Sequence, residues 1–108
     1  MKEENVQIET GLGYSLSGIL HYPENESSAG VVICHGMMSS KNSDKHTRLA
    51  RALQEKGLYA LRFDFSGRGE SPGDLMQLTF TRQKQECLAA IELVKKHADK
   101  IEKVDVRF

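Results

Sequence analysis

The residues Gly30-Val31-Val32-Ile33-Cys34 form an uninterrupted apolar run between a polar turn and a His-Gly pair. Consecutive apolar residues rich in β-branched side chains are typical of a strand that is buried on both faces of a sheet. Such a strand needs a packed layer on each side. A chain of 108 residues can bury roughly two-thirds of its extended surface, so one core of this kind fits. The run therefore favours a central parallel strand with helices on both faces of its sheet.

The residues before this run predict an antiparallel hairpin. Segments 6–9 and 14–22 alternate between apolar and polar side chains, and glycines at positions 11 and 13 separate them. Alternation with period two indicates strands that are buried on one face only, and glycines between two such segments indicate a turn.

The residues after the run alternate between helical and strand patterns. A helix is predicted from Ser43, as N-cap, to Lys56, with Gly57 just beyond its end. A β-rich segment from Tyr59 to Phe65 follows, then a long helix from about Thr79 to about Lys100. The residues expected on the buried sides of these helices are Leu49, Ala52 and Leu53 in the first and Leu88, Ile91, Val94, Ala98 and Ile101 along the second.

Val104 to Phe108 is predicted to be a last strand, which completes two βαβ units. Such units place strands parallel and helices on the faces of the sheet. We therefore expect a single domain over residues 1–108: a three-layer α/β fold with a mostly parallel sheet of about five strands and an N-terminal antiparallel hairpin. Asp105 and Arg107 are unusual in a central parallel strand. Either the strand lies at an edge, or the sequence departs from the fold's pattern there.

Charge and cysteine content exclude several classes of function. Fifteen basic and fifteen acidic residues cancel, so no basic face for nucleic acid or anionic lipid is expected. No apolar run approaches the roughly 20 residues that span a bilayer, and a secretory leader is not recognised. We expect a cytoplasmic protein that binds neither membranes nor nucleic acid.

The cysteines and histidines do not form a recognisable catalytic or metal site. Cys34 and Cys87 are interpreted as two buried thiols, because their spacing fits neither a CxxC motif nor a disulfide scaffold. A Cys34-His35 dyad is disfavoured, since adjacent strand residues point to opposite faces. His21 and His46 lack metal-ligand spacing, so no metal is expected.

His35-Gly36-Met37 follows the buried strand and so lies at the carboxyl edge of the sheet, where ligands bind in α/β folds. Gly36 allows close approach by a ligand or another backbone segment, and the backbone amides there could stabilise an oxyanion. The alternative is that Gly36 simply ends a strand and His35 caps a loop.

Together with Asp64-Phe65-Ser66-Gly67-Arg68-Gly69-Glu70-Ser71, this segment resembles the α/β-hydrolase superfamily, most nearly its esterase, acyl-peptidase-like and cinnamoyl-esterase-like members. The resemblance covers nearly the whole chain as the N-terminal half of that fold. It implies that the backbone N–H of Met37 is an oxyanion donor, with His35, Gly36, Asp64, Gly67 and Gly69 as supporting loop residues. The catalytic serine, acid and histidine are expected beyond Phe108, and no cofactor is implied.

The sequence Gly69-Glu70-Ser71-Pro72-Gly73 matches the GxSxG pattern of serine hydrolases, but we reject Ser71 as a nucleophile. The residue after the nucleophile must donate its backbone N–H to the oxyanion, and Pro72 has no N–H.

Three functional hypotheses remain. The chain belongs to a serine hydrolase for carboxylic esters or related acyl compounds, with a small ester-like substrate once completed by a C-terminal half. The second hypothesis, which we favour for the chain alone, is an inactive truncated fragment. The third is an interaction module or one half of a split hydrolase, which pairs or self-associates through an open sheet edge.

Overall fold

The structure is a computed structural model that describes residues 2–25, 27, 29–34, 41–65, 80–97, 101 and 103–107. Within this part of the chain the elements are β1 (Glu3–Glu9), β2 (Ser15–His21), β3 (Ala29–Ile33), α1 (Asp44–Glu55), β4 (Tyr59–Phe63), α2 (Phe80–His97) and β5 (Lys103–Arg107). They include the predicted hairpin and the predicted strand-helix alternation, so the α/β class is confirmed.

The hairpin pairs β1 with β2 in an antiparallel register in which Val6 lies opposite Gly18. Its turn contains Gly11 and Gly13 with φ of 78° and 94°, values that favour glycine. Val6 and Ile8 are buried, whereas the residues between and beside them face solvent. The predicted alternation therefore places one face of β1 in the core.

The described strands form one sheet in the order β1-β2-β4-β3-β5. The neighbours β3 and β4 are parallel, as are β3 and β5, while β2 joins β4 in antiparallel orientation. The central strand β3 is the apolar run of the sequence, and Val31, Val32 and Ile33 are all buried. The predicted mixed sheet is thus confirmed, with the hairpin attached beside β4.

Two apolar layers lie on opposite faces of this sheet. On the face covered by α2, the buried side chains include Ile8, Leu16, Val32, Phe63 and Val94. On the other face, Val31, Ile33 and Ala60 pack against Ala50 of α1. The fold therefore has the expected three layers.

Helix α1 has the predicted ends, and Leu49 and Leu53 are partly buried against the core as expected. The Ser43 hydroxyl accepts a hydrogen bond from the backbone N–H of His46 at 3.3 Å, and Gly57 follows the helix with φ of 88°. The expectation that Ala52 faces the core is wrong, since it is exposed. The buried residues of α1 are His46, Ala50 and Gln54, and the Gln54 amide finds polar partners in His21 and the carbonyl oxygens of Lys2 and Tyr22.

Helix α2 packs on the sheet through part of the predicted stripe, since Val94 is buried and Ile91 contacts the core. Leu88, expected in the apolar stripe, is 46 % exposed, so that expectation is wrong. Glu86 is fully buried and accepts a hydrogen bond from the Tyr14 hydroxyl at 2.6 Å. Glu86, Ala90 and Val94 face inward, and the hairpin supplies a hydrogen-bond partner for the Glu86 carboxylate. The predicted helix end at Lys100 and the side chain of Ala98 lie outside the described residues.

Strand β5 is an edge of the described sheet, where it pairs with β3 alone. Lys103, Asp105 and Arg107 are exposed, and Val104 and Val106 are half-buried. The carboxylate of Asp105 lies 2.9 Å from the Arg107 guanidinium. The edge position accounts for the two charges that the sequence pattern left open, while Phe108 lies outside the described residues.

Candidate functional site

The carboxyl ends of β3 and β4 lie side by side, because the two strands are parallel and Ile33 is in register with Arg62. Cys34 directly follows β3, and Asp64 and Phe65 directly follow β4; all three are buried. This edge is where α/β sheets place their ligand sites. The predicted oxyanion segment and the Asp64 segment both start from it.

Asp64 is fully buried and holds Lys41 through two hydrogen bonds. Its Oδ1 accepts from the backbone N–H of Lys41 at 2.7 Å, and its Oδ2 accepts from Lys41 Nζ at 2.9 Å. The two side chains are 0 % and 1 % exposed, so the pair is shielded from solvent. A buried carboxylate requires such compensation, since desolvation of an unpaired charge is costly.

Arg62 extends this contact to the next residue of the loop. Its Nη1 donates to the carbonyl oxygen of Lys41 at 2.9 Å and to Asn42 Oδ1 at 3.2 Å. The backbone of Lys41 is therefore held by Asp64 through its N–H and by Arg62 through its carbonyl. Both partners come from β4 or the residue just after it, so residues 41 and 42 are fixed relative to that strand.

The hydrogen bonds around His21 define its tautomer. Arg62 Nε donates to His21 Nε2 at 2.9 Å, so that ring nitrogen carries no proton. The proton on Nδ1 then points to Gln54 Oε1 at 3.3 Å, while Gln54 Nε2 donates to the carbonyls of Lys2 and Tyr22. Neutral His21 satisfies every one of these bonds.

Burial lowers the pKa of His21, which is 0 % exposed, below its ordinary value. The hydrogen bond from His21 to Gln54 and the charge of Glu3, 3.5 Å from Nδ1, act in the opposite direction, and the positive charges of Arg62 and Arg51 add to the lowering. His21 is thus a neutral structural link between Arg62 and α1.

The cluster of Lys41, Asp64, Arg62 and His21 holds the backbone at residues 41 and 42 in place. The charge of Lys41 is paired with that of Asp64, and Arg62 is engaged by backbone and side-chain acceptors. Asp64 is the only predicted site residue inside the described part of the chain, where it binds Lys41, and its role in bracing the loop that follows stays a prediction. His35, Gly36, Met37, Gly67 and Gly69 lie outside the described residues, as does Ser71.

Sequence reasoning missed Lys41 and Arg62. A signal for Arg62 was present, because an arginine between Leu61 and Phe63 in a doubly buried strand must find acceptors. No comparable signal marks Lys41, which lies in a polar stretch that reads as solvated loop.

No group of three or more His, Cys, Asp or Glu side chains among the described residues could hold a metal ion. No helix in these residues is long and apolar enough to cross a bilayer.

The strand order and the three layers define the class: the chain contains part of the fold of the α/β hydrolases. Solved structures that match it are covered over 33–52 % of their own length. Est1E of Butyrivibrio proteoclasticus, solved with ferulic acid bound, matches 94 % of this chain and is covered over 41 %, with a TM-score of 0.82 and 24 % identity. An esterase of Pyrococcus furiosus matches 97 % and is covered over 39 %, with a TM-score of 0.82 and 24 % identity. An α/β serine hydrolase homologue of Coxiella burnetii matches 98 % and is covered over 52 %, with a TM-score of 0.77 and 26 % identity.

A sequence relative is the uncharacterized protein YDL057W of Saccharomyces cerevisiae. It is 37 % identical over 76 aligned positions, which cover 56 % of this chain and 23 % of the yeast protein. No protein-family model matches the sequence. The chain thus spans less than a quarter of this relative and about half or less of the solved structures it resembles.

Proposed function

We propose that residues 1–108 supply the N-terminal part of a serine hydrolase for carboxylic esters or related acyl compounds. The observation that supports this most directly is the double attachment of Lys41 to Asp64, at 2.7 and 2.9 Å. It fixes the far end of segment 35–40, the near end of which is β3. An oxyanion donor in such a segment needs a rigid frame, because preorganised donors cost no reorganisation when charge develops.

In this proposal the backbone N–H of Met37 donates to the oxyanion of the tetrahedral intermediate. His35 and Gly36 shape the backbone before it, and Asp64, Gly67 and Gly69 shape the adjoining loop. The nucleophilic serine, the acid and the histidine base come from residues other than these 108. Removing one oxyanion donor typically lowers kcat about 10²- to 10³-fold, which sets the size of effect to look for.

The chain by itself is expected to have no esterase activity. We expect neither hydrolysis of p-nitrophenyl butyrate nor labelling by a fluorophosphonate, with Ser71→Ala as the matched variant. Hydrolysis that Ser71→Ala abolishes would show that the GxSxG at 69–73 is catalytic after all.

A chimaera tests the proposed role of Met37. Residues 1–108 replace the matching segment of the Pyrococcus furiosus esterase, which supplies the remaining strands and catalytic side chains. We expect ester hydrolysis, a fall in kcat of about 10²- to 10³-fold for Met37→Pro, and little change for Met37→Ala, which keeps the N–H. Circular dichroism and gel filtration establish folding. A folded chimaera that is inactive, or unaffected by Met37→Pro, contradicts the proposal.

A second candidate function is one half of a split hydrolase that pairs with a separate C-terminal polypeptide through β5. Beside β5 and α1 lies a groove of about 400 Å³ lined by side chains that include Val31, Leu49, Leu53 and Leu58. At the outer edge of β5, the N–H of Val106 is bonded to the Asp105 carboxylate at 2.9 Å. That N–H therefore points to the side of β5 opposite β3. On that side it could donate to the backbone of another strand.

Sedimentation velocity tests this second candidate. The partner is the segment of the Pyrococcus furiosus esterase that this chain does not match. We expect a one-to-one complex that Val106→Pro disrupts and Val106→Thr retains, since proline removes an edge N–H without breaking the ladder to β3. Self-association of the chain alone, or binding that Val106→Pro leaves intact, counts against the split-hydrolase assignment.

We also propose a cytoplasmic location. With two cysteines in 108 residues, the chain does not have the cysteine density of small disulfide-rich secreted domains. Subcellular fractionation of the tagged protein checks this, and recovery from an oxidising compartment would contradict it.

A further inference from the structure

The two cysteines, interpreted from the sequence as separate buried thiols, are neighbours in the structure. Cys34 Sγ lies 3.7 Å from Cys87 Sγ, across 53 positions of sequence. Cys34 ends β3 and is completely buried, whereas Cys87 lies on α2 and is half-buried. The pair therefore joins a central strand to the helix that covers it, and Cys87 is the less buried residue of the two.

The two thiols differ in acidity. A hydrogen bond from the Cys34 thiol lowers the pKa of Cys87 to about 7, because it stabilises the Cys87 thiolate. The same hydrogen bond raises the pKa of Cys34, and burial among apolar side chains raises it further. The thiolate, which is the reactive species in exchange with disulfides, is thus concentrated on Cys87, the less buried residue of the pair.

We propose that Cys34 and Cys87 form a redox modification site that closes to an intramolecular disulfide by exchange with a low-molecular-weight disulfide such as oxidised glutathione. In the first step the Cys87 thiolate attacks one sulfur of the oxidant, and one glutathione thiolate leaves. In the second, Cys34 gives its proton to that thiolate or to water and attacks Cys87 Sγ, and the second glutathione leaves. The protein loses two protons and two electrons, and one oxidised glutathione becomes two reduced glutathiones.

The geometry favours closure over a lasting mixed disulfide. The sulfurs are already in contact and must approach by about 1.7 Å to reach the S–S length of roughly 2.0 Å. A glutathione on Cys87 leaves Cys34 in contact with the sulfur under attack. A glutathione on Cys34 would have to enter the core, since that side chain is completely buried.

The experiment exposes the 108-residue chain to glutathione redox buffers at pH 7.5, native and in 6 M guanidinium, with quenching by acid and analysis by intact mass. We expect the native protein to lose the mass of two hydrogens and gain no glutathione. Its equilibrium constant for closure should exceed that of the denatured chain by roughly 30- to 1,000-fold, the equivalent of the stabilisation that native disulfides confer.

Two matched variants separate the roles of the sulfurs. Cys34→Ala should accumulate one glutathione on Cys87, because no second thiol releases it. Cys87→Ala should stay unmodified while folded, which circular dichroism verifies, and react only in guanidinium.

Three results would overturn the proposal. They are a stable glutathione adduct or an intermolecular dimer as the native product, two reduced thiols in fully oxidised buffer, and a native-to-denatured ratio below about 30. If a variant fails to fold, the wild-type ratio alone decides, since it needs no substitution.

Discussion

The buried pair of Lys41 and Asp64 can be tested by a double-mutant cycle. Lys41→Met removes the ammonium and leaves the Asp64 carboxylate with the backbone N–H of residue 41, at 2.7 Å, among its partners. Asp64→Asn keeps an oxygen for that N–H but turns an uncharged amide toward the Lys41 ammonium. Each single substitution therefore leaves one charge in a site where both side chains are at most 1 % exposed.

The expected cost follows from this burial. Removing one partner of a buried ion pair typically destabilises a protein by about 3–5 kcal/mol, because the remaining charge is desolvated and uncompensated. The retained backbone hydrogen bond puts Lys41→Met near the lower figure. Combining both substitutions removes both charges, so the double variant should be at least as stable as either single one. The expected coupling free energy is about 3 kcal/mol.

Urea unfolding at pH 7, followed by far-ultraviolet circular dichroism, measures the cycle. A loss of about 3 kcal/mol lowers the midpoint by roughly 1–3 M urea, so the single variants are compared in a stabilising osmolyte. Arg51→Met is the matched control. It breaks the 3.1 Å contact with Glu3, where the side chains are 58 % and 34 % exposed, and should cost less than about 1 kcal/mol. Additive single effects would refute the reasoning that the two buried charges compensate each other.

Three further predictions concern stability. Between pH 7 and 5 the free energy of unfolding should fall by up to about 1.4 kcal/mol per pH unit through His21, because the unfolded chain binds a proton near pH 6.5 while burial lowers the pKa of His21 in the folded state. Urea titrations at each pH measure this fall, and His21→Gln should flatten the curve of stability against pH. A slope that His21→Gln leaves unchanged would contradict the prediction. Gly30→Ala should lower the free energy of unfolding, measured in urea, by about 1–2 kcal/mol, because a Cβ there would lie 2.9 Å from Val94 Cγ1. The same substitution should cost less in a chain that carries Val94→Ala. An equal cost with Val94 and with Val94→Ala would exclude the steric explanation. Ser43→Ala should lower stability by about 1 kcal/mol through loss of the helix cap, whereas Ser43→Asp should restore it, and equal effects of the two would rule out capping.

The elements were predictable where local patterns determine them. The apolar run at β3, the alternation of the hairpin and the Ser43 and Gly57 ends of α1 depend on neighbouring residues alone, and each lies where the sequence places it. The predictions of which helix residues face the core were less accurate. Leu88 is exposed while Glu86 is buried and bonded to Tyr14, 72 positions away, and helical periodicity contains no information about that contact.

Asp64 is the only predicted site residue that lies among the described residues, and its contact with Lys41 was not predicted. The contacts of Lys41 with Asp64 and Arg62 span 23 and 21 positions of sequence and arise only in tertiary structure. The same holds for Cys34 and Cys87, which meet because α2 crosses the end of β3. The predicted roles of His35, Gly36, Met37, Gly67 and Gly69 stay predictions.

The strand order also has a consequence for synthesis on the ribosome. Strands β1, β2, β3 and β4 find all their mutual partners within the first 63 residues, so a four-stranded sheet can pair before α2 is made. Until His97 emerges, the face with Ile8, Leu16 and Phe63 has no covering helix. The 34 residues between the end of β4 at Phe63 and the end of α2 at His97 take about 2–7 s to synthesise at about 5–20 residues per second. A nascent chain paused in that interval exposes a broad apolar surface, and is the species most exposed to chaperone capture or aggregation.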